Sequence, residues 1–393
     1  MLTGVAGFLI IASAIWAVLL ALAIKPVGSV ELNTNTVSPQ PTNQKLTFSW
    51  PTQGAAAIGM DGKIKADFNG DESRAMASLT KIVTALVVLD KKPIAPGEVG
   101  EVLTMNDTDV ALYEKAKTLN GSNIVVKAGE NINEIAMLQA MMLVSANNAA
   151  DSLAIWAFGS VDDYVAAAND WLTQNGFADT KVVDASGFDS KSVSTAKDLV
   201  KLAMLADKNA TLKSVFSAKE AQFPGVGKIT NTNTLLGING IYGMKTGHTE
   251  AAGANLLFAS TYKVGNVSKT IYGVVLGQTD ANLFQVAKDF NNSAQSNINK
   301  VVVLAKGSVV GRLTSRWGAT SNVVLSADLT TVGWKDENNV QIDIKNADNL
   351  GGMTSVANGQ NVGTASAGAD GVTVITSGTL YSPDFLWRVT NPF

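Results

Sequence analysis

The chain has 393 residues, 46% of them apolar and 16% charged, a formal net charge of −3, no cysteine and one histidine. That length exceeds one ordinary core and points to two domains, and the apolar share excludes a disordered chain. The slightly acidic balance argues against nucleic acid as a partner. The lack of cysteine removes any disulfide framework or thiol nucleophile. With His248 alone, a catalytic zinc lacks the ligands it needs, so no metal or other cofactor is expected.

Residues 5–24 form an uncharged run of mostly Leu, Ile, Ala and Val, long enough to cross a bilayer as a helix. No Lys or Arg precedes it, as a cleavable signal would require. Residues 1–26 are therefore read as a transmembrane anchor. Ala21-Leu22-Ala23 resembles a cleavage site and keeps a cleaved signal open as the alternative. Residues 27–50, rich in Asn, Thr, Pro, Ser and Gln, read as a flexible linker.

A folded domain is expected over 51–295. Strand-like segments at 55–58 and 63–68 flank Asp61-Gly62, a hairpin signal. Ile82, Ala85, Leu86 and Leu89 recur at helical spacing, which predicts a helix from near Ser78 to before Pro93. Further helices are expected at 132–143, 149–157, 161–175, 196–206 and 282–293, with Ser194 capping the one that starts near 196. Strands are expected at 255–260 and 270–276. Beyond residue 298, short strand-like runs at 301–304, 323–325, 340–344 and 372–375 are separated by Gly, Asn and Ser. They predict a small all-β domain over 298–393. The fold class expected is α/β of the α+β type, an antiparallel sheet with helices packed on it.

Three short patterns carry chemistry. In Ser78-Leu79-Thr80-Lys81, helical spacing puts the hydroxyl and the amine on one face. A serine hydroxyl needs a base, and a lysine serves if its pKa falls from about 10.4 toward 7–8, a change of about 4 kcal/mol. The same spacing also occurs at 194–197 and 260–263, so the pattern alone is weak. Ser145-Ala146-Asn147 follows an apolar run and precedes a helix, and the plain alternative is that Ser145 or Asn147 caps that helix. Lys245-Thr246-Gly247 follows Gly240 and Gly243, as a strand edge approached by a substrate backbone would be; a solvated strand end is the plain alternative. A triad could use only His248, and no nucleophile elbow lies near it.

The order Ser-x-x-Lys, Ser-x-Asn, Lys-Thr-Gly is the motif set of penicillin-binding proteins and class A β-lactamases. Together with Leu143–Ala150, Asp184-Ala185-Ser186-Gly187-Phe188, Asn231–Leu236 and Gly243–Thr249, it resembles the low-molecular-weight D-alanyl-D-alanine carboxypeptidases. The likeness is good over about 50–290 and weaker over 298–393. It implies the β-lactamase/penicillin-binding-like transpeptidase fold and hydrolysis of the terminal D-Ala–D-Ala bond of peptidoglycan stem peptides. It also implies β-lactams as covalent inhibitors and a bacterial membrane location with the catalytic domain outside the cytoplasm.

Carried onto this chain, the resemblance makes Ser78 the nucleophile, Lys81 its base and Ser145 the proton relay. Asn147 would hold the substrate backbone. Lys245 and Thr246 would receive the terminal carboxylate, and Lys245 would also depress the pKa of Lys81 by repulsion. The backbone N–H groups of Ser78 and His248, the latter next to Gly247, would form an oxyanion hole, with no catalytic part for the imidazole.

A β-lactamase would need a deacylating glutamate, and the only candidate between Asn147 and Lys245 is Glu220. An endopeptidase or transpeptidase of the same fold stays open, because acceptor choice depends on cleft shape. So does an inactive wall-binding scaffold.

Overall fold

The computed structural model describes residues 7, 10–16, 18, 30–34, 44–95, 97–337, 340–347, 353, 355–368 and 370–390. They form two compact units, 47–297 and a second made of 298–393 with the segment up to Leu46. Of the run 5–24, only residues 7, 10–16 and 18 are described, all helical, so the expected anchor lies largely outside the described residues. Among those described, no helix is long and apolar enough to cross a membrane.

In unit 47–297, five antiparallel strands form the central sheet: β1 Ala55–Met60, β2 Lys63–Phe68, β3 Ile241–Thr249, β4 Gly253–Val264 and β5 Val267–Gln278, in the order β3-β4-β5-β1-β2. Asp61 and Gly62 both have positive φ (52° and 80°), as a tight hairpin turn requires. Every residue of β1 is buried, and its small side chains let helices approach closely. Side chains alternate across the pleat. Leu257 and Ala259 of β4 join the large core, whereas Phe258 meets the Phe290 ring edge-on, with centroids 6.4 Å apart. The sheet is therefore covered on both faces, and β3 forms one edge.

The helices are α1 Thr80–Lys91, α2 Asp107–Thr118, α3 Glu134–Leu143, α4 Asn147–Phe158, α5 Val161–Gln174, α6 Ala196–Ala206, α7 Ala210–Ser217 and α8 Leu283–Ser296. Residues Thr80 to Leu89 of α1 are all buried, so α1 runs through the core rather than over it. Two helices lack an expectation from the sequence. α2 is polar, and its visible signal is the Asn106/Asp109 capping box; α7 is short. The cap of α6 is Thr195, whose side chain accepts from Asp198 N at 3.1 Å, not Ser194, which bonds Thr180 Oγ1 at 2.7 Å.

The second unit has a six-stranded antiparallel sheet around a core that includes Val310, Leu313, Val323, Leu325 and Val374. Val340, Ile342 and Ile344 pack against that core as their alternation predicts, although the strand itself begins at Asp343. One correction concerns 27–50. Val30–Thr34, inside the expected linker, is an edge strand paired with Val309–Ser315. Edge pairing uses backbone donors and acceptors, so the polar composition of 27–50 hid it. Near the end of that stretch, within unit 47–297, Phe48 and Trp50 pack on Phe290 at 6.3 and 5.0 Å.

Candidate active site

Ser78 sits in a single 3-10 turn, Ala77–Leu79, that leads into α1. Ala77 takes a left-handed φ of 47°, which turns the chain sharply just before the hydroxyl. Lys81 lies in the first turn of α1. Its Nζ donates to Ser78 Oγ at 2.9 Å, Asn147 Oδ1 at 2.8 Å and the Ser186 carbonyl at 2.7 Å. Its side chain is fully buried, and burial lowers its pKa to about 7, against the upward pull of the Asp184 and Asp151 carboxylates.

Desolvation is the largest cause that prepares Lys81 as a base. The Lys245 pKa lies well below the usual lysine range, lowered first by burial and then by repulsion from the Lys81 charge.

The α3–α4 connection supplies the second group. Ser145 has a left-handed φ of 62°, and its Oγ is buried with no hydrogen-bond partner among the described residues. Neither Ser145 nor Asn147 caps α4; the cap position is Ala146, without a side-chain bond. Both residues thereby line the cleft, where Asn147 Oδ1 holds Lys81 and Ser145 Oγ keeps no partner among the described residues. Asn147 N donates to the Ser122 carbonyl at 2.7 Å, which anchors it beside Lys81.

Edge strand β3 supplies the third group. Lys245 is buried, and its Nζ donates to the Thr246 carbonyl at 3.0 Å. Thr246 Oγ1 lies 2.6 Å from Thr232 Oγ1. A Cβ added at Gly247 would stand 3.0 Å from Ser78 N and 3.2 Å from Leu79 N, so this glycine lets the strand lie against the nucleophile turn. The His248 imidazole is exposed, with Nδ1 3.7 Å from Asp280 Oδ2.

Ser78, Ser145, Asn147, Thr246, Gly247 and His248 line one cleft of about 870 Å³, and Lys81 and Lys245 are buried beside it. All eight residues singled out in the sequence thus come together. Glu220 pairs with Lys228 at 2.6 Å on an exposed hairpin and does not line the cleft. Among the described residues, no cluster of His, Cys, Asp or Glu is placed to hold a metal ion.

The sequence reading assigned no role to the loop after Asp184. That carboxylate accepts from the backbone N–H of Gly187 at 2.9 Å, Phe188 at 2.7 Å and Asp189 at 3.0 Å, and from Ser192 Oγ at 2.7 Å. The loop so fixed presents the Ser186 carbonyl to Lys81. The signal was present in Asp184-Ala185-Ser186-Gly187-Phe188, but only the fold shows what it touches. Thr232 was missed in the same way.

Comparison with known proteins agrees with this geometry. A family model described as D-alanyl-D-alanine carboxypeptidase matches residues 52–280. The carboxypeptidase DacA of Escherichia coli is 28% identical over 205 residues, 51% of this chain and 50% of that protein. The chain thus spans about half the length of that relative. A D-alanyl-D-alanine endopeptidase of Pseudomonas aeruginosa is 32% identical over 244 residues, 59% of this chain and 75% of that one. Among solved structures, a mutant Streptomyces DD-transpeptidase covers 64% of this chain and all of its own, at 26% identity and a TM-score of 0.55. Penicillin binding protein 5 of Haemophilus influenzae shares the fold over 88% of this chain and 100% of its own, at 20% identity and a TM-score of 0.58. The chain belongs to the D-alanyl-D-alanine carboxypeptidase family of serine peptidases.

Proposed function

We propose that the chain is a serine-type D-Ala–D-Ala carboxypeptidase that trims the terminal D-alanine from peptidoglycan stem peptides through an acyl-enzyme on Ser78. The observation that carries this reading is the fully buried Lys81 amine, lowered to about 7 and 2.9 Å from Ser78 Oγ. A base that titrates near neutral pH is suited to accept the serine proton.

Ser78 Oγ attacks the carbonyl carbon of the penultimate D-alanine as its proton passes to Lys81. The backbone N–H groups of Ser78 and His248 receive the oxyanion, each such donor being worth about 10²–10³ in rate. The C–N bond then breaks, and the leaving amine takes a proton through Ser145, whose Oγ has no competing partner among the described residues. Water hydrolyses the ester. Asn147 holds the substrate backbone, and Thr246 and Lys245 receive the terminal carboxylate. That anion restores the charged form of Lys245, which burial disfavours in its absence. A β-lactam acylates Ser78 by the same steps.

The uncharged run 5–24 supports a single-pass anchor in the bacterial cell membrane, with the catalytic unit outside the cytoplasm. A second reading, endopeptidase or transpeptidase action at the same site, is favoured by the endopeptidase and transpeptidase relatives.

Mass spectrometry after incubation with a labelled penicillin and with a D-Ala–D-Ala peptide tests the reading. The expected result is an adduct on the wild type, none on Ser78→Ala, and a peptide shortened by one alanine. An adduct that survives Ser78→Ala, or no adduct at all, refutes it. A cross-linked peptide, or cleavage between joined peptides, selects the second reading.

A further inference from the structure

Asp151 stands one turn after Asn147 on α4 and therefore on the same face. It lines a second cavity, of about 420 Å³, together with Asp184 and Ser186; Leu119, Asn147 and Phe188 belong to the walls of both this cavity and the cleft. Every acceptor position of the neighbouring Asp184 is engaged by its own loop. Asp151 is half-buried at the cavity wall and accepts no hydrogen bond among the described residues.

We propose that Asp151 is a positioning residue for the reaction: its carboxylate, in the cavity wall that also contains Asn147 and Ser186, the two residues whose oxygens hold Lys81, stabilises the ammonium form of that amine and withholds the base from Ser78 at mildly acid pH. The proposal rests on Lys81 being the base, as argued above.

An anion near an amine favours its charged form. The Asp151 and Asp184 charges both raise the Lys81 pKa against the stronger effect of burial. Asp184 cannot be altered without releasing the loop, whereas Asp151 bonds to nothing that a substitution would free. The groups that face Asp151 are Lys81 from α1, Lys115 from α2, Asp184 and Asp189 from the loop and Asp162 from α5. The Asp151 carboxyl is itself pushed up to about 6, chiefly by burial and then by the Asp184 charge. Its influence on Lys81 is therefore confined to a window. Between about 6 and about 7 Asp151 is charged while Lys81 is still losing its proton. Well below that window Asp151 is neutral, and its removal changes nothing.

The test is the acylation rate constant of a labelled penicillin on the full chain, followed from about pH 5 to about pH 9 for the wild type, Asp151→Asn and Asp151→Glu. Asp151→Asn is expected to react faster inside the window, by roughly two- to threefold at most. Its curve should converge with the wild type at the acid end and share its alkaline plateau, and Asp151→Glu should restore the wild-type profile. Profiles of identical shape, whether superimposed or scaled down at every pH as a merely structural role would produce, overturn the proposal. If Asp151→Asn melts below the assay temperature, Asp151→Ser replaces it under the same criteria. An adduct in the wild type with an unmoved profile defeats this inference alone, whereas no adduct in any protein defeats the reading of the site as well.

Discussion

Replacing Gly187 by alanine puts a methyl carbon against the turn that carries the nucleophile. The added Cβ would overlap the Ala77 carbonyl oxygen and stand 2.5 Å from Thr80 Oγ1 and 2.6 Å from the Ala77 carbonyl carbon, where ordinary contact begins at 3.4 Å. Gly187 also has a φ of 74°, a conformation that costs a side-chain-bearing residue about 1–2 kcal/mol. Overpacking adds about 1–3 kcal/mol. The combined loss of about 2–5 kcal/mol lowers the melting temperature by roughly 5–15 °C for a unit of this size.

Relief of the clash must move either the loop, which withdraws the Ser186 carbonyl from Lys81, or the Ala77–Leu79 turn, which moves Ser78. A misplacement of about 1 Å costs about 10²-fold in rate. The assay is penicillin acylation of the folded protein, paired with calorimetry. Gly62→Ala is the control: its φ of 80° is as unfavourable, but an added Cβ there meets nothing within 4 Å. It should lower the melting temperature modestly and leave acylation unchanged. A Gly187→Ala enzyme that melts within about 2 °C of the wild type and acylates within about threefold would refute the argument.

Ser145→Ala should slow acylation by about 10²–10⁴-fold, yet leave urea stability unchanged or raised, because the buried hydroxyl it removes has no partner among the described residues. Acylation of the wild type should rise with pH through about 7 as Lys81 loses its proton, and a flat stopped-flow profile across that range would exclude it as the base. Folding stability should also depend on pH through Lys81. From about 7 up to the unfolded value of 10.5 only the unfolded chain binds the proton, so the Lys81 contribution makes the fold more stable as pH rises through that window. Lys81→Met should flatten that part of a urea titration series. Asp184→Asn should cost about 2–4 kcal/mol in chemical denaturation, because the amide group cannot accept from all four donors that the carboxylate holds, and it should slow acylation by freeing the Ser186 carbonyl.

Local chemistry made much of this protein legible in its sequence. Helical period located α1 and α3 to α6, and α8, because apolar residues recur at helical spacing in each. Asp61-Gly62 marked the β1–β2 turn because few residue pairs accept two left-handed positions. The three motifs named the side chains that line the cleft because the chemistry admits few residue types. What the sequence left hidden depends on neighbours distant along the chain. Polar α2 and the edge strand Val30–Thr34 lack an apolar signature. The pKa of Lys81 depends on burial beneath α4 and the Asp184 loop, and the freedom of Ser145 depends on Ala146, not Ser145 or Asn147, occupying the cap position. Residue identity and spacing along the chain thus determined which groups are present. Their desolvation, and with it the direction in which each amine is shifted, was decided only when three remote segments packed together and excluded water from the space between them.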